Sequence, residues 1–446
     1  MLIVTMVICF ALAGTVLSLS RAMRVETIAS ANLAASVQAV AVERGAEQYV
    51  LALIAQQGDS LDQLSESEFA GIPVGQGYFW IVRPDYDDAA LPLFGLVDES
   101  AKLNINTASY EQILRLPGMT EDAAASIMDW RDEDTNPERT GVETYLDQAD
   151  PYIAKNGPFE TVEELLLVHG IDRLMLYGDG TAPPLGSTPG VRSNSMGQAL
   201  SDPQLARGLY DLLTIHTVGR NTAADGQQRI RIDRNNRAMR VTLQTRLRQR
   251  LPEKQADEIV VAIGTSNMPD VFEFYKRGKN AGKMSPEDFD LIADDLTTSG
   301  SATLSGRINL MTAPRPVLMT LDRLEEADVE KIIAARQSLG SAMQSNAVAW
   351  SADAIGVDKA ATARLGGQIT TRSSQYSADI VAVSGNGRAF KRVRIVIDAT
   401  DTTNPTILFR RDLTDRGWPM DPQVLASIRA GEGPGNLGTG FSGGGF

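Results

Sequence analysis

The sequence predicts an α+β protein: one long amino-terminal helix, strands early and late in the chain, and a mostly helical middle. Three observations carry this. Residues 1–20 are an uncharged apolar run, and residues 21–57 continue it without a proline. Strand-like patterning occurs at 77–82 and again on both sides of Gly385-Asn386-Gly387. Between those strands, residues 103–176, 231–263 and 308–336 show caps and helical spacing.

Taking the elements in order, residues 1–20 at roughly 1.5 Å per residue span about 30 Å, one bilayer core. Their Leu, Ile, Val and Phe side chains favour insertion by about 3–5 kcal/mol. A cleaved secretory signal is the alternative. No basic residue precedes the run, the run is long for such a signal, and the helical pattern continues beyond it. Apolar residues recur at Met23, Ile28, Ala31, Val37, Ala41, Ala46, Val50, Leu53 and Ile54. One helix to about Gln57 is therefore expected, its first third suited to lipid and the rest carrying one sticky face. Arg21 and Arg24 follow the apolar run, which by the positive-inside rule would place the body in the cytoplasm. The expectation is instead that a short basic leader belongs upstream.

The aromatic and β-branched run at 77–82 reads as a strand, and 91–97 as a second. Residues 181–197 read as a loop and 212–218 as a strand. Residues 380–383 and 393–397 flank Gly385-Asn386-Gly387, a hairpin signature. Residues 407–409 add a short strand, and the Gly-rich stretch 431–446 reads as a flexible tail.

The charge balance of 42 basic against 56 acidic residues, −14 overall, disfavours phosphate backbones and anionic lipid as partners. It is compatible with hard-cation binding. Cys9 is the single cysteine, so an intrachain disulfide and a thiolate metal cluster are excluded. His169 and His216 are the only histidines, and both read as packed or capping residues rather than ligands.

Within 103–158, Asn and Thr precede an apolar-periodic segment, Leu116-Pro117-Gly118 breaks it, and residues 120–130 start another helix. This reads as a helix-hairpin-helix. It repeats: Leu103-Asn104-Ile105-Asn106-Thr107-Ala108 aligns with Ile308-Asn309-Leu310-Met311-Thr312-Ala313 at an offset of 205 (103 to 308), which also maps Arg131 onto Arg336. A weaker third copy is expected from Ile232, with its turn at Leu251-Pro252. Such hairpins can hold a DNA phosphate on their turn amides, with basic residues nearby. Here Glu121, Asp122, Glu325 and Glu326 occupy that place, so a compact two-helix packing unit is the favoured reading.

An acidic cluster follows the first hairpin: Asp129, Asp132, Asp134, Glu138, Glu143, Asp147 and Asp150. Asp132 and Asp134 fall in a loop, because Asn136-Pro137 ends any helix. Spaced acids, backbone carbonyls and a later Glu can form an oxygen cage for Ca²⁺, though without the EF-hand order. A solvated acidic loop is the alternative. No G-x-S-x-G, H-E-x-x-H or P-loop is present, and catalysis is not expected.

The motifs L-N-I-N-T-A, L-P-G, D-W-R-D-x-D, Gly141-x-Glu143, Asp150-Pro151-Tyr152 and N-G-P-F followed by V-E-E-L resemble the minor pseudopilin K family of bacterial type II secretion systems. The resemblance spans about residues 1–415 and is strongest over 103–170. It implies a pilin-like long amino-terminal helix plus a small antiparallel sheet, with a large inserted helical domain. It divides the chain into 1–57 (membrane and assembly helix), 58–102 (first part of the body), 103–210 and 225–340 (inserted domain), 211–224 and 366–415 (strands completing the body), and 416–446 (tail). It implies a structural subunit at the tip of a periplasmic pseudopilus, helping to initiate the fibre. The implied partners are minor pseudopilins I and J, other pseudopilins, the inner-membrane assembly platform, and a prepilin peptidase for a leader. It implies Ca²⁺ on Asp132, Asp134 and Glu143, with Asp129 and Asp147 as further candidates. The family's K subunit lacks the glutamate that other pseudopilins carry early in the apolar helix, and residues 1–20 also lack one. The competing reading is a membrane-tethered DNA-binding protein of an uptake apparatus.

Overall fold

The computed structural model describes residues 2–58, 61, 64–83, 93–145, 151–178, 208–234, 236–339 and 347–434. The expected loop at 181–197, the tail beyond 434, and Asp147 and Asp150 lie outside the described residues.

Helix α1 (Leu2–Gln57) runs unbroken for 56 residues, roughly 84 Å. Residues 2–30 are exposed throughout. Burial begins at Ala35 and follows one stripe through Ala39, Val42, Ala46, Val50, Leu53 and Ile54. That stripe lies on a seven-stranded antiparallel sheet. Its strands are β1 (Ile72–Val74), β2 (Gly77–Arg83), β3 (Leu93–Phe94), β4 (Val97–Asp98), β5 (Gln375–Val383), β6 (Phe390–Asp398) and β7 (Thr406–Asp412). The order is β1-β2-β5-β6-β7, with β3 pairing on β2 and β4 on β5. Helix and sheet meet closely at Gly77, where a Cβ would lie 2.5 Å from a Val42 methyl.

The Asn-Gly hairpin is found: β5 and β6 close with Val383 opposite Phe390, and Gly387 takes φ +63°. The loop is longer than a two-residue turn, since the Ser384 amide donates to Ala389 O at 3.0 Å.

The segment between β4 and β5 forms a second body with its own apolar core. It holds helix pairs α2 (Tyr110–Leu114) and α3 (Glu121–Arg131), α4 (Arg237–Arg250) and α5 (Glu253–Ala262), and α6 (Arg315–Leu318) and α7 (Glu326–Ser338). Each pair follows a two-residue parallel strand pairing: Leu103–Asn104 on Leu213–Thr214, Ile230–Arg231 on Leu296–Thr297, and Ile308–Asn309 on Ile369–Thr370. The amides of Ile105, Ile232 and Leu310 donate in the same way to Thr214, Thr297 and Thr370 carbonyls, at 3.0, 2.9 and 3.0 Å.

Four expectations need correction. The third copy starts at Ile230, two residues before the expected Ile232, because Ile232 occupies the position of Ile105. Residues 211–224 do not complete the sheet. Only Leu213–Thr214 and Gly219–Arg220 are strands, and both pair inside the second body. The Thr214 hydroxyl accepts the His216 amide at 2.9 Å and turns the chain out of extension. Residues 103–176 are less helical than expected, being built from short helices, 3₁₀ turns and loops. Finally, 416–430 is not tail. Helix α8 (Pro422–Ala430), capped by Asp421, buries Val424 and Ile428 in the sheet core. Trp418 meets Trp80 edge-on at 5.8 Å.

Candidate metal centre

Helix α3 begins where the Thr120 hydroxyl accepts the Ala123 amide, and its last turn is clasped from both sides. Arg131 donates to the Ile105 and Ala108 carbonyls. Trp130 packs among Tyr145, Tyr152 and Phe159, and the two tyrosines stack at 4.6 Å. These contacts fold the acidic loop back over the helix end. Arg139 and Asn156 take positive φ (both 51°) to make its bends.

Within that loop, Asp132, Asp134 and Glu143 each place one carboxylate oxygen within 4.8 Å of the others. Asp134 is exposed, Asp132 half-buried and Glu143 buried. The chain thus brings together three of the five predicted ligands. Asp129 lies beside them and is fully buried, its Oδ1 accepting the Glu138 amide at 2.7 Å. Gly141 is required here, since a Cβ would lie 1.9 Å from Asp129 Oδ2. Asn156, the first residue of the N-G-P-F motif, donates through Nδ2 to the Asp134 carbonyl. The signal that the sequence offers for this bend is the Asn156-Gly157 pair.

The electrostatics are those of an anionic pocket in which Arg131 offsets only part of the charge on Asp132. Burial pushes Asp129 up to about 6, and the Asp132, Glu138 and Asp134 charges add to it. Burial also raises Asp132 and Glu143, again reinforced by neighbouring acids. Among the described residues, Asp129 Oδ2, Asp132 Oδ1, Glu143 Oε1 and Asn156 Oδ1 are buried oxygens without a hydrogen-bond donor. Four unpartnered oxygens around a carboxylate triplet fit a hard dication with oxygen ligands. The histidines stand apart: His169 donates its amide to the Tyr145 hydroxyl, and His216 packs near Phe409.

The helix turns offer little to a phosphate backbone. Glu121 and Asp122 occupy the first turn of α3, and Glu326 and Asp328 that of α7. Three arginines of α4 are paired with acids within the body: Arg246 with Asp295, Arg248 with Asp257 at 2.8 Å and Arg250 with Asp225 at 3.0 Å.

Helix α1 is long and apolar enough to cross a membrane, and its most apolar window is wholly exposed. No curated protein matches the sequence. A chain in the crystal structure of the GspK-GspI-GspJ complex from the type 2 secretion system of enterotoxigenic Escherichia coli shares 13% identity. That alignment covers 84% of this chain and 95% of that one, at a TM-score of 0.40. The family model described as type II secretion system (T2SS), protein K, matches residues 91–177, the segment that contains the acidic loop. Over those residues the chain carries a type II secretion system protein K domain.

Proposed function

We propose that the chain is a minor pseudopilin that works as a structural tip subunit of the type II secretion pseudopilus. In this reading it is held first in the inner membrane by α1, with its body in the periplasm, and then in the fibre beside the minor pseudopilins I and J. The observation that carries the reading is the joining of a protein K domain to a membrane-length exposed helix in one chain. Residues 2–30 suit lipid or the cores of neighbouring subunit helices, while 35–54 are committed to this chain's own sheet. The helix pairs act as helix-hairpin-helix packing units, with acids where DNA clamps carry bases. The triplet Asp132, Asp134 and Glu143 holds Ca²⁺ that staples the loop, Asp129 supports it from beneath, and Asp147 is a further ligand.

Co-purification tests the role. Full-length chain in detergent, mixed with subunits I and J, should form a complex stable to gel filtration. Replacing exposed Leu33 and Val37 by Asp should weaken it. Absence of a complex with either subunit would remove the tip assignment. Salt-sensitive retention on immobilised DNA would favour the DNA-uptake alternative.

A further inference from the structure

The chain is acidic overall, yet a cavity of about 250 Å³ between its second body and the turn after β6 is, among the described residues, lined by Arg220, Arg229, Arg307 and Arg372 and by no carboxylate. Thr370 and Ser373 add hydroxyls to its wall. A smaller space of about 60 Å³ shares Arg229, Arg307 and Arg372 and brings in Asp294.

The charges there do not cancel. Arg229 pairs with Asp294 at 2.6 Å, and Arg372 reaches the same carboxylate at 3.4 Å. Arg220 faces the exposed Asp401. Arg307, only partly exposed, has no hydrogen bond or ion pair among the described residues. Asp270 and Asp294 are the carboxylates whose fields reach it. Asp270 is already committed, accepting the Phe272 amide at 2.8 Å and the Gly367 amide at 3.0 Å. A guanidinium offers five donors, and in Arg307 none of them is committed to another described residue. Burial and the nearby Arg229 charge pull Arg307 down to about 10.

Nor can its backbone easily swing away. Gly306, at φ +73°, donates its amide to the Thr217 hydroxyl at 2.8 Å, and a Cβ there would meet the Thr107 hydroxyl at 2.1 Å. The arginines come from separate segments of chain and converge on one cavity, which gathers more donors than the two oxygens of a carboxylate can take up. That arrangement suits an anion with oxygens pointing outward on all sides better than a flat carboxylate.

We infer that this cavity binds a small tetrahedral oxyanion of the inorganic phosphate or sulfate class, with Arg307 as its principal ligand and Arg229 and Arg372 as supporting cations.

The test is calorimetric titration of the full chain in detergent with inorganic phosphate at fixed ionic strength, with acetate and chloride as controls. Saturable phosphate binding is expected, weakened at least about tenfold in Arg307→Met. That variant should melt no lower than wild type in phosphate-free buffer, since it removes an unpaired sheltered charge. If it does not fold, Arg307→Lys carries the test. It keeps the charge but loses the planar fork, and it should also weaken binding. No saturable binding by wild type, undiminished affinity in the folded variant, or acetate binding as tightly as phosphate would each overturn the assignment.

Discussion

Arg131 and Arg336 make the same clasp in two different places. Arg131 donates to the carbonyls of Ile105 and Ala108, and Arg336 to those of Leu310, at 3.1 Å, and Ala313, at 2.8 Å. Each arginine ties the far end of the second helix of its pair to the turn before the first. The internal repeat is therefore a repeat of contacts as well as of letters.

Arg131→Ala and Arg336→Ala should each lower the unfolding free energy by about 1.5–3 kcal/mol, the usual worth of hydrogen bonds from a charged donor. Lysine should recover only part of the loss at Arg131, where two nitrogens of the planar fork each serve one carbonyl. Urea melts of the detergent-solubilised chain provide the measurement. A loss under about 0.5 kcal/mol in both variants would mean that the clasp is incidental.

Calcium should raise the melting temperature of the chain, and EGTA should reverse the rise. Binding adds RT ln(1 + [L]/Kd), about 2.7 kcal/mol at a hundredfold excess over Kd. Asp132→Asn and Glu143→Gln should abolish most of that gain. Without calcium the same variants should be at least as stable as wild type, because each removes a charge that its neighbours repel. A melt that ignores both calcium and EGTA would count decisively against the metal centre.

Helix α1 is bolted to the outer strand β7 by Arg410, which reaches Glu43 at 2.8 Å and Glu47 at 2.7 Å. Both acids are buried. Burial raises Glu43, with Glu47 adding to the rise. Burial acts on Glu47 too, but bonds from Glu43, Arg410 and Arg44 outweigh it and hold it below the ordinary range. Arg410→Ala should cost about 3 kcal/mol, near the lower bound for stripping a partner from buried charge, since the arginine is partly exposed. Adding Glu43→Gln and Glu47→Gln should restore much of the loss. A double-mutant cycle gives the coupling, and strict additivity would contradict the bolt.

Asp270 supplies a pH signature. Burial lifts its carboxyl to about 6 against the amide bonds from Phe272 and Gly367, while the unfolded chain titrates near 3.8. The folded state then binds the extra proton between those values. Its stabilising contribution is present below about pH 4 and is lost as pH rises through 6, amounting to at most about 3 kcal/mol. The stability of wild type minus that of Asp270→Asn should therefore fall as pH rises from 4 to 7. A difference that stays flat over that range would refute the shift.

Periodicity and turn chemistry made much of this architecture legible. The α1 boundary at Gln57, the β2 strand and the Asn-Gly hairpin were all readable, because each depends on residues close in sequence. The 205-residue offset was readable because caps and core positions recur in letters. The third copy was placed two residues late, since Arg231 stands where the other copies have Asn, although its helix cap Asn236 keeps the place that Ser109 holds in the first copy. Helix α8 was hidden by its Gly-rich surroundings, although Asp421-Pro422 and Gly431 are start and stop signals. In the acidic loop, the spacing of acids was readable, but which of them folding draws together was not. That Asp129 is sealed beneath the triplet depends on Gly141 and on the Glu138 amide, which only folding brings together. The arginine cavity draws on residues from 220 to 372 and leaves no local pattern at all.

In the sheet, Asp98 and Tyr376 sit opposite one another in register. The whole second body thus leaves and rejoins the sheet across a single rung. Topologically it is an oversized hairpin loop, anchored at its neck by Asp98, which accepts from Asn309 at 2.8 Å and Thr312 at 2.5 Å. An insertion of that kind can change in size without rewiring the sheet, so the helix-bearing scaffold and the inserted body are separable in design although they share one polypeptide.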